Sequence, residues 1–173
     1  MAKSTPPPLK FLFAHPAHFI ACGCGSGLSA FAPGTAGTLF AWITFPLLAL
    51  LGAASGEMLT YLLLVLLFIV GVAACHITGR HLGVVDHGSI VWDEIVPFWA
   101  VLTFVPSGFS LSAVSWQLLA FLTFRFFDIV KPFPANWFDS QVKNGFGVMM
   151  DDVIAAGYTV FALALAKQLW DRV

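Results

Sequence analysis

Formal charge is scarce in this sequence, and that scarcity argues against a soluble globular domain. Only 10% of the 173 residues are charged, 59% are hydrophobic and the mean hydropathy is +0.89. Soluble domains carry about 25% charged residues. The composition therefore indicates an integral membrane protein, with a length that suits one compact bundle. The net charge of −1 gives no basic footprint, so no nucleic-acid partner is expected.

Cysteine is also rare, and its spacing excludes the common zinc patterns. The three cysteines are Cys22, Cys24 and Cys75. The spacing of Cys22 and Cys24 is too short for the usual zinc pair, and no second pair follows. We expect all three to be small buried residues.

The N-terminal segment does not look like a cleavable signal peptide. Its apolar stretch, Phe11–Ile20, is interrupted by His15, Pro16 and His18. We expect residues 1–24 to form an interfacial segment, and residues 1–173 to form a single membrane-embedded domain.

Long uncharged runs predict an all-α, polytopic membrane helix bundle with about four to five membrane helices. No formal charge occurs between Phe11 and Gly56, between Met58 and Gly79, or between Ile95 and Phe124. A spanning helix needs about 20 apolar residues, and the alternating strands of a membrane barrel are absent. The five candidate spans are Thr38–Ala54, Met58–Thr78, Ser89–Val105, Leu111–Val130 and Val148–Trp170.

The basic residues predict the orientation of this bundle. If five helices alternate, one side receives most of the basic residues, namely Lys3, Lys10, Arg80, Lys131 and Lys143. By the positive-inside rule that side is the cytoplasm. Lys167 and Arg172 fall on the other side, a conflict that a re-entrant or interfacial last segment would remove.

The acidic residues are concentrated, which suggests a bound divalent cation. Seven of the nine lie between Asp86 and Asp152, and the topology brings them to one membrane face. A charge at the bilayer centre costs about 2.5–3.5 kcal/mol, so such residues are expected to be functional. Carboxylate oxygens are suitable ligands for hard cations. The candidate metal ligands are Asp86, Asp93, Glu94, Asp128, Asp151 and Asp152.

A purely structural role is the alternative for the adjacent pairs Asp93–Glu94 and Asp151–Asp152. Both pairs lie near predicted helix starts, where the helix dipole favours a carboxylate by about 0.3–1 kcal/mol. Neighbouring helical residues point about 100° apart, so one member of each pair is expected to face a metal. Asp139, in the preceding loop, is expected to lie away from these pairs.

Other polar residues could bind a phosphate. Arg125 and Lys131 could hold its oxygens, although Arg125 could instead form a local ion pair with Asp128 on the same helical face. The turn containing Thr35 and Thr38 could bind an anion at a helix start, with Thr38 as N-cap, or be an ordinary capped turn.

The candidate catalytic residues come from the acidic cluster and its neighbouring histidine. His87, beside Asp86, is placed to act as an acid or base, although a loop histidine is more often simply polar. The candidate catalytic residues are Asp86, His87, Asp93 and Asp152.

Four polar segments carry a family resemblance. They are GSGLSAFAPGTAGTL (Gly25–Leu39), HLGVVDHGSIVWDE (His81–Glu94), FRFFDIVKPFPANWFD (Phe124–Asp139) and GFGVMMDDVIAAG (Gly145–Gly157). In this order they resemble bacterial phosphatidylglycerophosphatase A. The resemblance implies a multi-pass protein of the bacterial inner membrane that requires Mg²⁺. It also implies an anionic phospholipid substrate, phosphatidylglycerophosphate, which is hydrolysed to phosphatidylglycerol and inorganic phosphate.

A small transporter or channel for a divalent cation or an anion is the alternative function. Carboxylates within a membrane protein would suit it equally well. Transporters usually place such groups near the midplane and often contain internal repeats. Here the acids are predicted at one face and no repeat is evident, so the sequence favours the phosphatase.

Overall fold

The computed structural model describes residues 5–171, which form helices and connections without a strand. Lys3 and Arg172 lie outside the described residues. The α-helices are α1 (Lys10–Ala14), α2 (Pro16–Ala21), α3 (Pro33–Ser55), α4 (Glu57–Leu82), α5 (Trp92–Leu102), α6 (Leu111–Val130), α7 (Ala135–Gln141) and α8 (Gly145–Trp170). A short 3-10 helix over Gly23–Leu28 precedes α3. The all-helical prediction is confirmed.

Four of these helices, α3, α4, α6 and α8, are long and apolar enough to cross a membrane. The first predicted span begins at Pro33 rather than Thr38, because proline is tolerated in the first helical turn. The last begins at Gly145, since the Asn144 side chain accepts hydrogen bonds from the backbone N–H groups of Phe146 and Gly147. The count of about four to five membrane helices agrees with the structure.

The third predicted span, Ser89–Val105, was wrong in length and in environment. Helix α5 has 11 residues, of which nine are buried. Eleven residues make a helix about 16 Å long, roughly half the hydrocarbon thickness of a bilayer. Helices α3, α4 and α8 pack around it. Hydropathy alone cannot distinguish a helix surrounded by protein from one surrounded by lipid, so the sequence overestimated this element.

Residues 103–110 continue from α5 to the start of α6 without a regular helix. Gln117 donates from Nε2 to the carbonyl oxygens of Pro106 (2.9 Å) and Gly108 (3.1 Å), and its Oε1 accepts from Trp42 Nε1 (2.7 Å). Irregular backbone at membrane depth is tolerated when its polar groups find such partners. The buried Gln117 therefore stabilises this part of the chain.

The N-terminal helices α1 and α2 form a small unit packed on α4 through histidine contacts. The buried His18 stacks on Phe11 and donates from Nδ1 to the Phe11 carbonyl oxygen (2.8 Å). Its Nε2 then accepts from Nδ1 of His81 on α4, 2.7 Å away. The carbonyl oxygen of Ala21 accepts from Val91 N (2.9 Å), which ties α2 to the residue before α5.

The expectation for the cysteines holds for two of the three residues. Cys22 and Cys75 are buried, but Cys24 is exposed. Cys24 has a φ of 55°, a left-handed backbone conformation within the turn that follows α2. The burial prediction was therefore wrong at Cys24, because composition says nothing about this turn.

Candidate active site

Three buried carboxylates from three helices meet at one end of the bundle. Glu94 is in the first turn of α5, Asp128 is in the last turn of α6, and Asp152 is in the second turn of α8. One oxygen atom from each lies within 4.8 Å of the other two. The chain thus brings together residues separated by up to 58 positions, as the topology predicted. Like charges this close repel, so a cation is expected to stabilise the group.

These three residues fit a magnesium ion by the chemistry of their donors. Magnesium prefers hard oxygen ligands such as carboxylates. Two of the oxygen atoms, Oε2 of Glu94 and Oδ1 of Asp152, are buried without a hydrogen-bond partner. A buried polar atom without a partner costs free energy, and a bound cation would remove that cost.

Arg125 supplies the neighbouring positive charge. Its Nη1 lies 2.9 Å from Oε1 of Glu94, 2.5 Å from Oδ2 of Asp128 and 3.5 Å from Oγ1 of Thr38. The ion pair with Asp128 that the sequence suggested is therefore present, and it extends to Glu94. Its Nε is buried without a hydrogen-bond partner, so the guanidinium retains a donor for a further ligand.

The N-terminus of α3 packs directly against Glu94. A Cβ atom at Gly34 would overlap the Glu94 carboxylate, and one at Gly37 would lie 3.2 Å from its Oε2. Glycine at both positions therefore allows the helix start to approach the site. Free backbone N–H groups at a helix start favour anions. Half-buried Thr35 lies in this first turn.

Thr38 does not cap α3, contrary to the sequence-based expectation. The N-cap residue is Ala32, which has a left-handed φ of 47°. Thr38 is buried inside the helix and donates its hydroxyl hydrogen to the carbonyl oxygen of Gly34 (3.0 Å). Its oxygen also faces Arg125, so Thr38 positions the guanidinium.

Lys131 connects a second group of acids beside the first. It forms an ion pair with Asp151 and lies 3.4 Å from Oδ1 of Asp139. Burial lowers the pKa of Lys131, but the charges of Asp151 and Asp152 raise it more, so the net pKa is above its ordinary value and the amine is cationic. The expectation that Asp139 lies away from the paired acids was wrong.

The local backbone explains why Asp139 joins this group. Lys131 ends α6 with a left-handed φ of 45°, which turns the chain back toward α8. Asp139 then follows on α7, which packs against α8. The only signal in the sequence was that Lys131 and Asp139 belong to the same polar segment.

The other candidate residues surround these two groups. Asp93 is buried and its Oδ1 accepts from the backbone N–H of Glu94 (3.2 Å), while Asp86 is exposed in the loop after α4. His87 is buried, and its Nδ1 accepts from Ser89 N (3.1 Å). Burial lowers the pKa of His87, only partly offset by the charge of Asp86. The Nδ1 atom of His87 already accepts the hydrogen bond from Ser89 N.

The comparison with known proteins is specific. The phosphatidylglycerophosphatase A family model matches residues 19–167. The chain belongs to the phosphatidylglycerophosphatase A family. It is 46% identical over 164 residues to phosphatidylglycerophosphatase A of Haemophilus influenzae, covering 93% of this chain and 94% of that protein. It is 42% identical over 164 residues to the Escherichia coli protein of the same name, covering 93% and 89%.

A more distant relative has a different name. A Bacteroides thetaiotaomicron protein, 39% identical over 150 residues, covers 86% of this chain and 91% of its own length. Its name is "Putative phosphatidylinositol-3-phosphatase". No solved structure matches the chain. Family membership confirms the resemblance: the protein is an enzyme, a phosphoric monoester hydrolase of phospholipid metabolism, with membrane-spanning helices.

Proposed function

We propose that this enzyme hydrolyses the terminal phosphate of phosphatidylglycerophosphate, with Mg²⁺ held by Glu94, Asp128 and Asp152. The observation that carries the proposal is the buried group of three carboxylates, one from each of three helices, in a chain of this family. Two of its oxygen atoms lack partners, as expected of atoms that accept a cation. The products are phosphatidylglycerol and inorganic phosphate.

Positive groups on two sides of the carboxylates would hold the phosphate. Arg125 contributes the buried Nε donor, which has no partner within the protein. Lys131 contributes a cationic amine on the side of α8. The start of α3, with Thr35 in its first turn, adds the positive end of a helix dipole, which favours an anion. These groups would orient the phosphorus atom toward the carboxylates.

The reaction needs a nucleophile, a proton acceptor and a proton donor. A bound Mg²⁺ would offset the charge of the phosphate oxygens and lower the pKa of a bound water. Asp93, the neighbour of Glu94 in the first turn of α5, or Asp86, in the loop before that helix, could accept the proton of the attacking water. His87 could do so only by giving up its bond from Ser89 N. The phosphorus–oxygen bond then breaks, and the leaving glycerol oxygen would take its proton from the carboxyl group that accepted one or from a bound water.

We also propose that the protein lies in the bacterial inner membrane with this site on the cytoplasmic side. The site end of the bundle carries Arg80, Lys131 and Lys143, whereas Lys167 is in the last turn of α8 at the other end. The excess of basic residues at the site end supports this orientation.

Phosphate release by purified protein in detergent tests the activity. The enzyme is expected to release phosphate from phosphatidylglycerophosphate faster than from phosphatidic acid or phosphatidylinositol 3-phosphate. The Arg125→Ala variant should lower turnover by about 10²-fold, the scale of losing one preorganised donor. Arg80→Ala, an exposed arginine at the end of α4, should change it little. A transporter would release no phosphate in a preparation without compartments, and that result would overturn the proposal.

A further inference from the structure

Tyr158 ties helix α8 to the connection that follows α6. It is half-buried, and its hydroxyl group donates to the carbonyl oxygen of Phe133, 2.7 Å away. Phe133 comes two residues after Lys131, between α6 and α7. Tyr158 follows Asp151 by two helical turns, so both side chains lie on one face of α8. That face therefore contacts the connection twice, through the Lys131–Asp151 ion pair and through the Tyr158–Phe133 hydrogen bond.

Tyr158 also contacts the chain before Lys131. Its ring lies 5.4 Å from the ring of Phe127, centroid to centroid. The carbonyl oxygen of Phe127 accepts from the backbone N–H of Lys131, 2.8 Å away, and this hydrogen bond closes the end of α6. The two residues that contact Tyr158 therefore flank Lys131 in the chain, one before it and one after it.

The backbone of Lys131 needs support of this kind. Its φ of 45° lies in the left-handed region, which a residue with a Cβ atom adopts at a cost in free energy. Such a conformation persists where the surrounding structure holds it. The lysine side chain is a flexible four-carbon stem, so the place of its amine depends on this backbone as well as on the carboxylates of Asp151 and Asp139.

We propose that Tyr158 is a positioning residue that holds Lys131 in place for the substrate phosphate. Its hydroxyl hydrogen is already donated to Phe133, so Tyr158 acts through Lys131 and not on the phosphate itself. The role of Lys131 as a phosphate ligand rests on the proposed function. A ligand that holds the phosphate equally before and during the reaction contributes to substrate binding, so its displacement should raise KM more than it lowers kcat.

The kinetic test removes only the hydroxyl group, with Tyr158→Phe. The KM for phosphatidylglycerophosphate should rise about two- to tenfold, the range expected for one lost hydrogen bond, and kcat should change less than about twofold. Tyr61→Phe is the matched control, since Tyr61 is the other tyrosine of the chain and is exposed near the start of α4, at the opposite end of the bundle. It should leave both constants unchanged. An unchanged KM in Tyr158→Phe, or a loss confined to kcat, would overturn the proposal.

A second background separates positioning of Lys131 from a general loosening of the bundle. When Lys131→Ala is already present, Tyr158→Phe should raise KM no further, because the side chain that it positions is gone. Multiplied effects of the two changes would mean that Tyr158 acts on KM by another route, and would overturn the proposal.

Lysine labelling tests the position of Lys131 without turnover. Its side chain is 20% exposed and its amine contacts two carboxylates, so an acylating reagent should modify it more slowly than the exposed Lys167 of the same molecule. In Tyr158→Phe, the labelling of Lys131 relative to Lys167, measured by peptide mass spectrometry, should increase about twofold or more. The same ratio in both proteins would overturn the proposal. If the wild type released no phosphate from phosphatidylglycerophosphate, the proposed function would fail, whereas the labelling would still decide whether Tyr158 holds Lys131.

Discussion

At the residue scale, Glu94 is the most constrained side chain of the site. One of its oxygen atoms is 2.9 Å from Arg125, the other has no partner, and the backbone of α3 closes the space beside it. The position of this carboxylate therefore depends on the absence of a side chain at Gly34.

The Gly34→Ala variant tests that dependence. Its methyl group would overlap the Glu94 carboxylate and displace it, although alanine is a better helix former than glycine by about 1 kcal/mol. We expect turnover to fall by about 10²-fold, the scale for a small misplacement of a reacting group, without loss of folded protein. Gly157→Ala is the control, because nothing lies within 4 Å of a Cβ at Gly157. Equal turnover by the two variants would contradict the packing described for Glu94.

A second residue, Asp139, is predicted to act through Lys131. Asp139→Asn should leave the amine paired with Asp151 alone, without the second carboxylate that positions it toward the phosphate. We expect KM to rise roughly three- to tenfold with a smaller change in kcat, because the pair is partly exposed. Asp171→Asn, at the far end of α8, is the charge-matched control.

A double-mutant cycle separates this role from a structural one. In a Lys131→Ala background, Asp139→Asn should have no further effect on KM, since its partner is gone. Full additivity of the two changes would show that Asp139 acts independently of Lys131.

At the element scale, α1 and α2 are held on α4 by contacts among three histidines. His15 and His81 both face His18, and burial together with these two neighbours lowers the pKa of His18 from 6.5 despite its bond to the Phe11 carbonyl oxygen. A group whose pKa is lowered by folding stabilises the folded state above its unfolded pKa. That contribution is lost as the pH falls through the lowered pKa.

The pH dependence of thermal stability should show this contact. Between pH 7.5 and pH 5, the wild type should lose more stability than His18→Gln, so its Tm should fall further over that range. The measurement is Tm in detergent for both proteins across that range. Parallel curves would show that the pKa of His18 is the same in the folded and unfolded states.

The sequence predicted the long helices well. The hydropathy on which that prediction depends says nothing about which helices are surrounded by other helices. Apolar runs of the length of a bilayer identify α6 to the residue and the start of α4 within one residue, although α4 continues four residues beyond Thr78 to Leu82. Helix α5 is also apolar but is enclosed by α3, α4 and α8, and the chain after it is irregular at Pro106 and Gly108, whose carbonyl oxygens accept from Gln117. Composition carries no information about such a partner elsewhere in the chain.

The site was predicted as a cluster but not in its internal arrangement. Topology alone indicated that the acids converge. Which member of each pair faces inward depends on how each helix is rotated about its axis: Glu94 and Asp152 join Asp128, whereas Asp151 pairs with Lys131. The part played by Asp139 depends on the left-handed turn at Lys131, which no sequence pattern signals.

At the scale of the whole molecule, the proposed active site joins the ends of four spans at one membrane face. Helices α3 and α8 begin there, α4 ends nearby, and Asp128 lies in the last turn of α6. The opposite end of the bundle carries the start of α6 and the connection between α3 and α4. The two ends must therefore face opposite compartments.

Single cysteines test the orientation. In a background lacking Cys22, Cys24 and Cys75, Ser140→Cys reports on the site end and Ser112→Cys on the other, and both positions are exposed. An impermeant thiol reagent added to intact cells should label Ser112→Cys and spare Ser140→Cys. The reverse pattern would place the site outside the cytoplasm and contradict the topology.

The proposed reaction requires Mg²⁺ held by three carboxylates, and a substitution at Asp152 shows whether they hold it. Asp152→Asn keeps the size of the side chain and removes its charge, while Glu57→Gln makes the matched change at the far end of α4. The measurement is phosphate release from phosphatidylglycerophosphate against Mg²⁺ concentration, with EDTA as the zero point. We expect no turnover in EDTA, a normal curve for Glu57→Gln, and for Asp152→Asn a turnover lowered by about 10²-fold or more, with a higher Mg²⁺ requirement. Full turnover without metal, or a normal curve for Asp152→Asn, would contradict it.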